Sequence, residues 1–277
     1  MRRKRVFGIL YQANNTAYRY TVRRGSVSAH PLSACRERLP QGSGSSKRGL
    51  VKTRDLALRL LMNLKIRHSI RESYDRIAGE YARRIFDELE HKPLDRELLN
   101  RFAAQTAGRG QVCDMACGPG QVARYLHNLG VNVFGLDLSP RMLEQARRLN
   151  PSIVFREGDM MALEIADRAL AGIVAFYAIV NIPKQSLPVI FGAMARVLEP
   201  GGLLLLAFHV GDEAIQEKEL WGQPISMDFF LLPPVFIQYQ LEAAGFKIEE
   251  VIEREPYAPE VEYQSRRAYI FARKVLS

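Results

Sequence analysis

Cysteine is nearly missing from this 277-residue chain. The three present, Cys35, Cys113 and Cys117, cannot all pair, which excludes a disulfide-stapled framework and points to a reducing, cytoplasmic compartment. The spacing of Cys113 and Cys117 suits neither a metal knuckle nor a redox pair, so both read as small buried thiols. His, Asp and Glu are not clustered at metal-ligand spacing, and no metal is expected. Long apolar runs are also lacking: the longest, such as 201–210, has about ten residues, roughly half of a bilayer crossing. Membrane insertion is therefore not expected.

Acidic residues are scarce in one stretch. Residues 1–54 hold 13 Lys and Arg against one acid, Glu37, whereas the rest of the chain holds 26 basic and 29 acidic residues. The net charge of +9 thus belongs to the start of the chain, and the body is close to neutral. Charge asymmetry of this kind speaks of partners rather than fold. Residues 1–61, with the basic run Arg2–Arg5 and a Gly/Ser patch at 41–46, read as a disordered extension. Three readings of it stay open: an upstream extension before an alternative start at Met62, an RNA- or membrane-surface-binding tail, and a targeting segment.

What is present is ordinary globular material, 47% hydrophobic and 25% charged, enough for one large domain or two small ones. Apolar positions from Ile70 to Leu89 step by three and four and predict an amphipathic helix, and a second helix is expected over 94–107. These form a helical cover, 62–107, ahead of a core at 108–277. In the core, candidate strands at 111–116, 132–136, 152–156, 172–176 and 202–208 alternate with candidate helices at 121–129, 140–149 and 186–198. That alternation predicts a parallel sheet with helices on both faces. A helix over 234–244 leads to strands at 247–253 and 262–273, too close together for a helical crossover and hence antiparallel neighbours. The expected fold is α/β, a Rossmann-like doubly wound seven-stranded sheet, mostly parallel, with an antiparallel C-terminal hairpin.

The segment 112–123, Val-Cys-Asp-Met-Ala-Cys-Gly-Pro-Gly-Gln-Val-Ala, carries the chemistry. Gly118 and Gly120 lie between a strand and a helix, where the backbone can approach a ligand and helix amides are exposed. Read alone, Gly118-x-Gly120-x-x-Ala123 followed by Asp137 also fits a dinucleotide fingerprint, and a dehydrogenase is the outlying alternative. Two further carboxylates argue otherwise. Asp114, inside the first strand, suits an ammonium and does nothing for a pyrophosphate. Asp137 closes the second strand, where a carboxylate accepts ribose hydroxyls. Asp159 follows the third, suited to an adenine amino group with Met160 packed on the ring. Amino acid, ribose and adenine together describe S-adenosylmethionine. The lesser alternatives are that Asp114 caps a buried turn and that Asp159 is a helix N-cap.

Asp114-x-x-Cys117-Gly118-x-Gly120, Gly135-x-Asp137-x-Ser139-x-x-Met142-Leu143, Gly158-Asp159-Met160 and Leu198-x-Pro200-Gly201-Gly202 together resemble the class I S-adenosylmethionine-dependent methyltransferases, over roughly 71–274. The resemblance implies a methyltransferase with S-adenosylmethionine as its cofactor. It implies that Gly118 and Gly120 meet the methionyl part, with Ala116 and Cys117 beside them, that Asp137 with Leu138 holds ribose, and that Asp159 reaches adenine. Met142 and Phe176 are placed with the cofactor set. Tyr74-Asp75-x-Ile77-Ala78-x-x-Tyr81 is similar to the N-terminal helix covering the cofactor in small-molecule members, so Tyr74 is expected at the cofactor and Tyr81 at the acceptor. There are departures: Ala116 stands where many members have Gly, Leu170-Ala171-Gly172 replaces the common Phe-Asp pair, and Asn181 falls where relatives often carry His.

For the acceptor, His209 at a strand end can accept a proton near neutral pH, and Tyr177 and Asn181 complete the catalytic candidates. Trp221, Met227, Phe229, Phe230 and the turn 231–234 read as an apolar lid or as packing of the last helix. Arg267 reads as a bidentate carboxylate ligand or as exposed edge-strand charge. The leading expectation is methyl transfer to an O or N atom of a small molecule. Two alternatives stay open, an RNA or protein methyltransferase in which nucleic acid engages only the basic tail, and a cofactor-binding protein without turnover.

Overall fold

The computed structural model describes residues 21–23 and 45–276. The expectations for 1–20 and 24–44, which include Cys35 and most of the basic segment, lie outside the described residues. The elements run β1 (Thr21–Arg23), α1 (Ser45–Ile85), α2 (Pro93–Thr106), β2 (Gln111–Met115), α3 (Gln121–Asn128), β3 (Val133–Asp137), α4 (Pro140–Leu149), β4 (Val154–Glu157) and β5 (Leu170–Phe176). They continue with α5 (Leu187–Val197), β6 (Leu198–His209), β7 (Ala214–Leu220), β8 (Gln223–Phe230), α6 (Pro234–Ala243), β9 (Phe246–Arg254) and β10 (Arg267–Lys274).

The main sheet has the order β1-β9-β10-β6-β5-β2-β3-β4. Strands β2 to β6 are mutually parallel, and β10 runs antiparallel to both β6 and β9. The seven strands expected from the sequence are thus joined by a three-residue edge strand, β1, antiparallel to β9. Along β6, Leu204, Leu206 and Phe208 enter one apolar cluster with Phe191 of α5 and Ile237 of α6. The alternate residues Leu203, Leu205 and Ala207 enter the other, with Phe102 of α2 and Leu126 of α3. Period-two alternation in a doubly covered sheet has this outcome.

Chain order reverses at β2, with β3 and β4 added on one side and β5 and β6 on the other. A crevice opens at the carboxyl ends of strands at such a reversal.

Two expectations about the cover are corrected. Helix α1 begins at Ser45 rather than Ile70, so the expected boundary at 61/62 falls inside a continuous helix. Residues 50–78 contain no Pro or Gly and are rich in Leu, Arg, Lys and Ala, all good helix formers, and propensity carries the helix back beyond the amphipathic stretch. The helix also stops at Ile85, ahead of a 3₁₀ turn at Glu88–His91, which ends at Lys92 because that residue precedes Pro93 and is driven out of the helical region.

The second correction concerns the lid: β7 and β8 form an antiparallel hairpin separate from the main sheet. Its two-residue turn, Trp221-Gly222, has φ of 52° and 79°, the positive pair that a tight hairpin requires. Strand β8 is tied to α1, with the Ser226 amide donating to Ser73 Oγ at 3.1 Å and Arg76 donating to the Pro224 carbonyl at 2.8 Å. Ile225 and Met227 pack with Ile77, Ala78 and Met142 in a third small core. The hairpin escapes a sequence reading because contact with α1 supports it while its own stretch 216–219 is polar.

Candidate active site

The crevice opens into a cavity of about 550 Å³ that lies under α1 and the hairpin. One end is made by the loops after β2, β3 and β4. Ala116, Cys117, Gly118, Leu138, Met142, Met160 and Phe176 all line it. Ala116 and Gly118 have φ of 56° and 52°; the left-handed form suits Gly118 and strains Ala116, which carries a Cβ. Asp137 stands at the mouth of this loop. Its carboxylate accepts the Gly118 and Ser139 amides, each at 2.8 Å, leaving lone pairs for a further donor. Burial raises the Asp137 pKa against the pull of those amides. Asp159 accepts the Met161 amide at 2.9 Å, so it caps a turn as well as lining the cavity. Its other oxygen pairs with Arg67 of α1 at 2.6 Å.

Two residues assigned to the cofactor do not line the cavity. Asp114 is 2% exposed beneath the loop, where its carboxylate accepts the Ala123 amide of α3 at 2.9 Å. The turn-cap alternative describes that contact. Burial, with Asp137 adding to it, pushes the Asp114 carboxyl up to about 7 even though the Ala123 amide opposes the shift. Gly120 is a packing glycine: a Cβ there would stand 2.7 Å from the Phe155 ring and 2.9 Å from the Asn150 amide.

The roof comes from α1 and the hairpin. Tyr81 lies over the glycine loop, 3.7 Å from where a Gly118 Cβ would stand, and meets Trp221 edge-on at 5.9 Å. It therefore covers the glycine-loop end of the cavity as well as meeting the hairpin. The Tyr74 hydroxyl donates to Asn181 Oδ1 at 2.8 Å, and Asn181 Nδ2 donates to the Asp228 carbonyl at 2.9 Å. The Asn181 amide thus ties α1 and β8 to the loop after β5. An amide so engaged is neither acid nor base.

The far end of the cavity is ionic. Lys92, 5% exposed, pairs with Glu88 at 2.6 Å and stands 3.7 Å from Glu262. Arg254, buried on β9, pairs with Glu262 and Asp95, and its Nε donates to Tyr269 Oη at 3.0 Å. Burial alone would raise the Glu262 carboxyl, but hydrogen bonds from Arg254, with Arg267 and Lys92 nearby, hold it down at about 2. Tyr177 lies between Lys92 and Arg267, whose charges stand 5.5 and 5.6 Å from its ring centre.

Arg267 is 2% exposed, because β10 lies between β9 and β6; edge-strand exposure is therefore excluded. Its Nη1 donates to Ser265 and its Nη2 to the Tyr263 carbonyl, with Glu262 3.5 Å from Nη2, while Nε makes no hydrogen bond. His209 lines the cavity beside Tyr177, ring centres 5.1 Å apart. Burial and the charges of Arg267, Lys92 and Arg254 push its pKa well below the ordinary value, so the ring is neutral.

Residues 112–202 match the family model described as a methyltransferase domain. Over that stretch the chain is similar to methyltransferases. It is 32% identical over 156 residues to a malonyl-[acyl-carrier protein] O-methyltransferase from Pectobacterium atrosepticum, covering 56% of this chain and 58% of the relative. It is 33% identical over 152 residues to a demethylmenaquinone methyltransferase from Chlorobaculum parvum, covering 51% and 60%. The chain thus spans less than two thirds of the length of these relatives. Among solved structures, an S-adenosylmethionine-dependent methyltransferase from Methanosarcina mazei superposes with a TM-score of 0.55 at 16% identity, covering 60% of this chain and 93% of that one.

The residues at the glycine-loop end fit S-adenosylmethionine. Asp137 and Asp159 are acceptors spaced along one wall, and the Ala116–Gly118 turn offers close backbone approach. Among the described residues no helix is long and apolar enough to cross a membrane. The ionic end was the part of the domain least visible in the sequence. Lys92, Glu88, Asp95 and Arg254 follow no spacing rule, and of this group the sequence reading reached only Arg267.

Proposed function

We propose that this chain transfers the methyl group of S-adenosylmethionine to an oxygen or nitrogen atom of a small-molecule acceptor. The observation that supports this most is the one cavity lined by Asp137, Asp159 and the Ala116–Gly118 turn at one end and by Tyr177, His209 and Lys92 at the other. Its relatives named for malonyl-[acyl-carrier protein] and demethylmenaquinone favour a small or carrier-borne acceptor over a macromolecular surface. The RNA or protein alternative rests on the basic segment, most of which lies outside the described residues.

Bound at the glycine loop, the cofactor supplies a methyl carbon on a sulfonium that leaves as a neutral thioether. The chain's own part is alignment and exclusion of water. Asp137 orients the ribose, and Asp159 accepts from the adenine amino group once its pairing with Arg67 opens. Tyr81 and Trp221 close the roof above the transfer axis, while Tyr177 and His209 face the acceptor. The test is calorimetric titration of the full chain with S-adenosylhomocysteine, with NADH as the control ligand. Binding of S-adenosylhomocysteine alone is expected. Binding of NADH alone would replace the proposal with a dehydrogenase, and binding of neither would defeat it.

A further inference from the structure

The strand register sets His209 opposite Arg267 across the β6–β10 pair. Both terminal nitrogens of Arg267 are already donating, Nη1 to the carbonyl and Oγ of Ser265 and Nη2 to the Tyr263 carbonyl at 2.7 Å. Nη1 thus has both its hydrogens on Ser265, and through that residue Arg267 reaches His209.

Ser265 Oγ accepts from Arg267 and stands 2.7 Å from His209 Nδ1 and 3.4 Å from the Arg266 carbonyl. A hydroxyl has one proton to give, and 3.4 Å is long for an O–H···O bond. The proton goes to the nearer acceptor, Nδ1. A neutral imidazole carries a single N–H, so the hydrogen of His209 must sit on Nε2, the ring nitrogen left for the cavity that His209 lines. The ring stays neutral because burial and three surrounding cations, Arg267 on β10, Lys92 ahead of α2 and Arg254 on β9, oppose a further positive charge. A histidine in that state offers a donor and has no lone pair with which to deprotonate an alcohol, a phenol or an ammonium group.

We propose that Arg267, acting through Ser265, locks His209 as an Nε2–H donor, and that the acceptor it receives is an oxygen already anionic at neutral pH, a carboxylate by class. The assignment rests on the methyl-transfer reading and deepens it. The reaction then balances without a base. One carboxylate oxygen forms the new O–C bond as the S–C bond breaks, the negative charge of the acceptor cancels the sulfonium charge, and a neutral ester and a neutral thioether result. No proton is released, whereas methylation of an alcohol or a protonated amine releases one. His209 touches the acceptor; Ser265 and Arg267 are positioning residues. Glu88, Asp95 and Glu262 balance Lys92, Arg254 and Arg267, so the donor, rather than a surplus of charge, selects the acceptor.

The test uses the full chain, labelled with 15N-histidine and saturated with S-adenosylhomocysteine, with His209→Asn supplying the assignment. Nitrogen shifts are expected to report Nε2–H for His209, and Ser265→Ala is expected to mix the two tautomers while leaving S-adenosylhomocysteine affinity unchanged within twofold. Saturated monocarboxylates from acetate to decanoate are then titrated in, with primary alcohols and amines of matched length as controls. At least one carboxylate should move the Nε2–H signal, and no control should. An Nδ1–H tautomer in the wild-type protein, an unmoved tautomer in Ser265→Ala, a response to the controls, or no response across the carboxylates would each overturn the assignment while leaving the methyl-transfer reading intact. Failure to bind S-adenosylhomocysteine would instead remove that reading and this assignment with it.

Discussion

At the glycine-loop end of the cavity the polar groups are backbone amides and two carboxylates drawn from the loops after β2, β3 and β4, all within 116–161. At the other end they are side-chain ions drawn from the Glu88–Asp95 region, from Arg254 on β9 and from Glu262 and Arg267, more than 150 residues further along the chain. The first end is local and held by carboxylate-to-amide bonds such as Asp137 to Gly118 and Ser139. The second is a buried network in which Arg254, Asp95 and Glu262 are each 3% exposed or less. Such a network exists only once distant elements have docked, and each member depends on the others to offset its loss of water. The ionic end should therefore govern stability and the carboxylate end ligand affinity.

The largest expected effect tests the ionic end. Arg254→Ala leaves Glu262 and Asp95 buried without their shared cation and is expected to destabilise the fold by about 3–5 kcal/mol, read as a lower denaturant midpoint at pH 7. The pH dependence sharpens the point. Because Glu262 is depressed to about 2 in the folded protein, its contribution is complete above the ordinary glutamate pKa and is lost as pH falls from there towards 2. A wild-type stability curve flat across that acid window would break the contrast.

The opposite sign is expected of Asp114, whose folded pKa is raised to about 7 against an ordinary 3.8. A raised carboxyl contributes stability below its unfolded pKa and loses it as pH climbs towards 7, by about 1.4 kcal/mol per pH unit. Asp114→Asn should remove that slope and be the more stable protein above pH 7, by chemical denaturation across pH 4–8. The same variant separates the two roles considered for Asp114. A cap of α3 leaves S-adenosylhomocysteine affinity unchanged on substitution; an ammonium ligand does not.

At the other end, Asp137→Ala is expected to weaken S-adenosylmethionine binding by about 1–3 kcal/mol through lost charged hydrogen bonds, measured by calorimetry. Unchanged affinity in a folded variant would remove the ribose assignment and with it half of the contrast between the two ends.

The same contrast explains what was legible in the sequence. Strands β2 to β6 and the C-terminal pair could be read because apolar runs ending in Asp or Gly repeat at a fixed spacing, and antiparallel pairing follows from the short gap before β10. The glycine loop could be read for the same reason, since its geometry is dictated within a few residues. Period and spacing do not reach contacts made across the fold. Nothing near Lys92 announces Glu262, and Arg267 looked like an edge charge until β10 was found between β9 and β6. Gly120 carried a binding signature in the sequence, yet its missing side chain makes room for Phe155. The hairpin β7–β8 was unread because its support is α1, more than 120 residues away.

The smallest expected effect concerns the non-glycine residue that the glycine loop holds in the left-handed region. Ala116 holds φ at 56°, where a Cβ meets the following carbonyl and costs about 1–2 kcal/mol. Glycine removes that strain but gives back roughly 0.5–1 kcal/mol in chain entropy, so Ala116→Gly should stabilise the fold by about 1 kcal/mol or less. Because Ala116 lines the cavity, removing its methyl group also widens the approach to the loop, and S-adenosylhomocysteine affinity should rise or stay the same. A loss of stability on this substitution would mean that the methyl packing of Ala116 against the sheet core outweighs the backbone strain. The local end of the cavity would then depend on side-chain packing as the ionic end does, and the contrast between them would narrow.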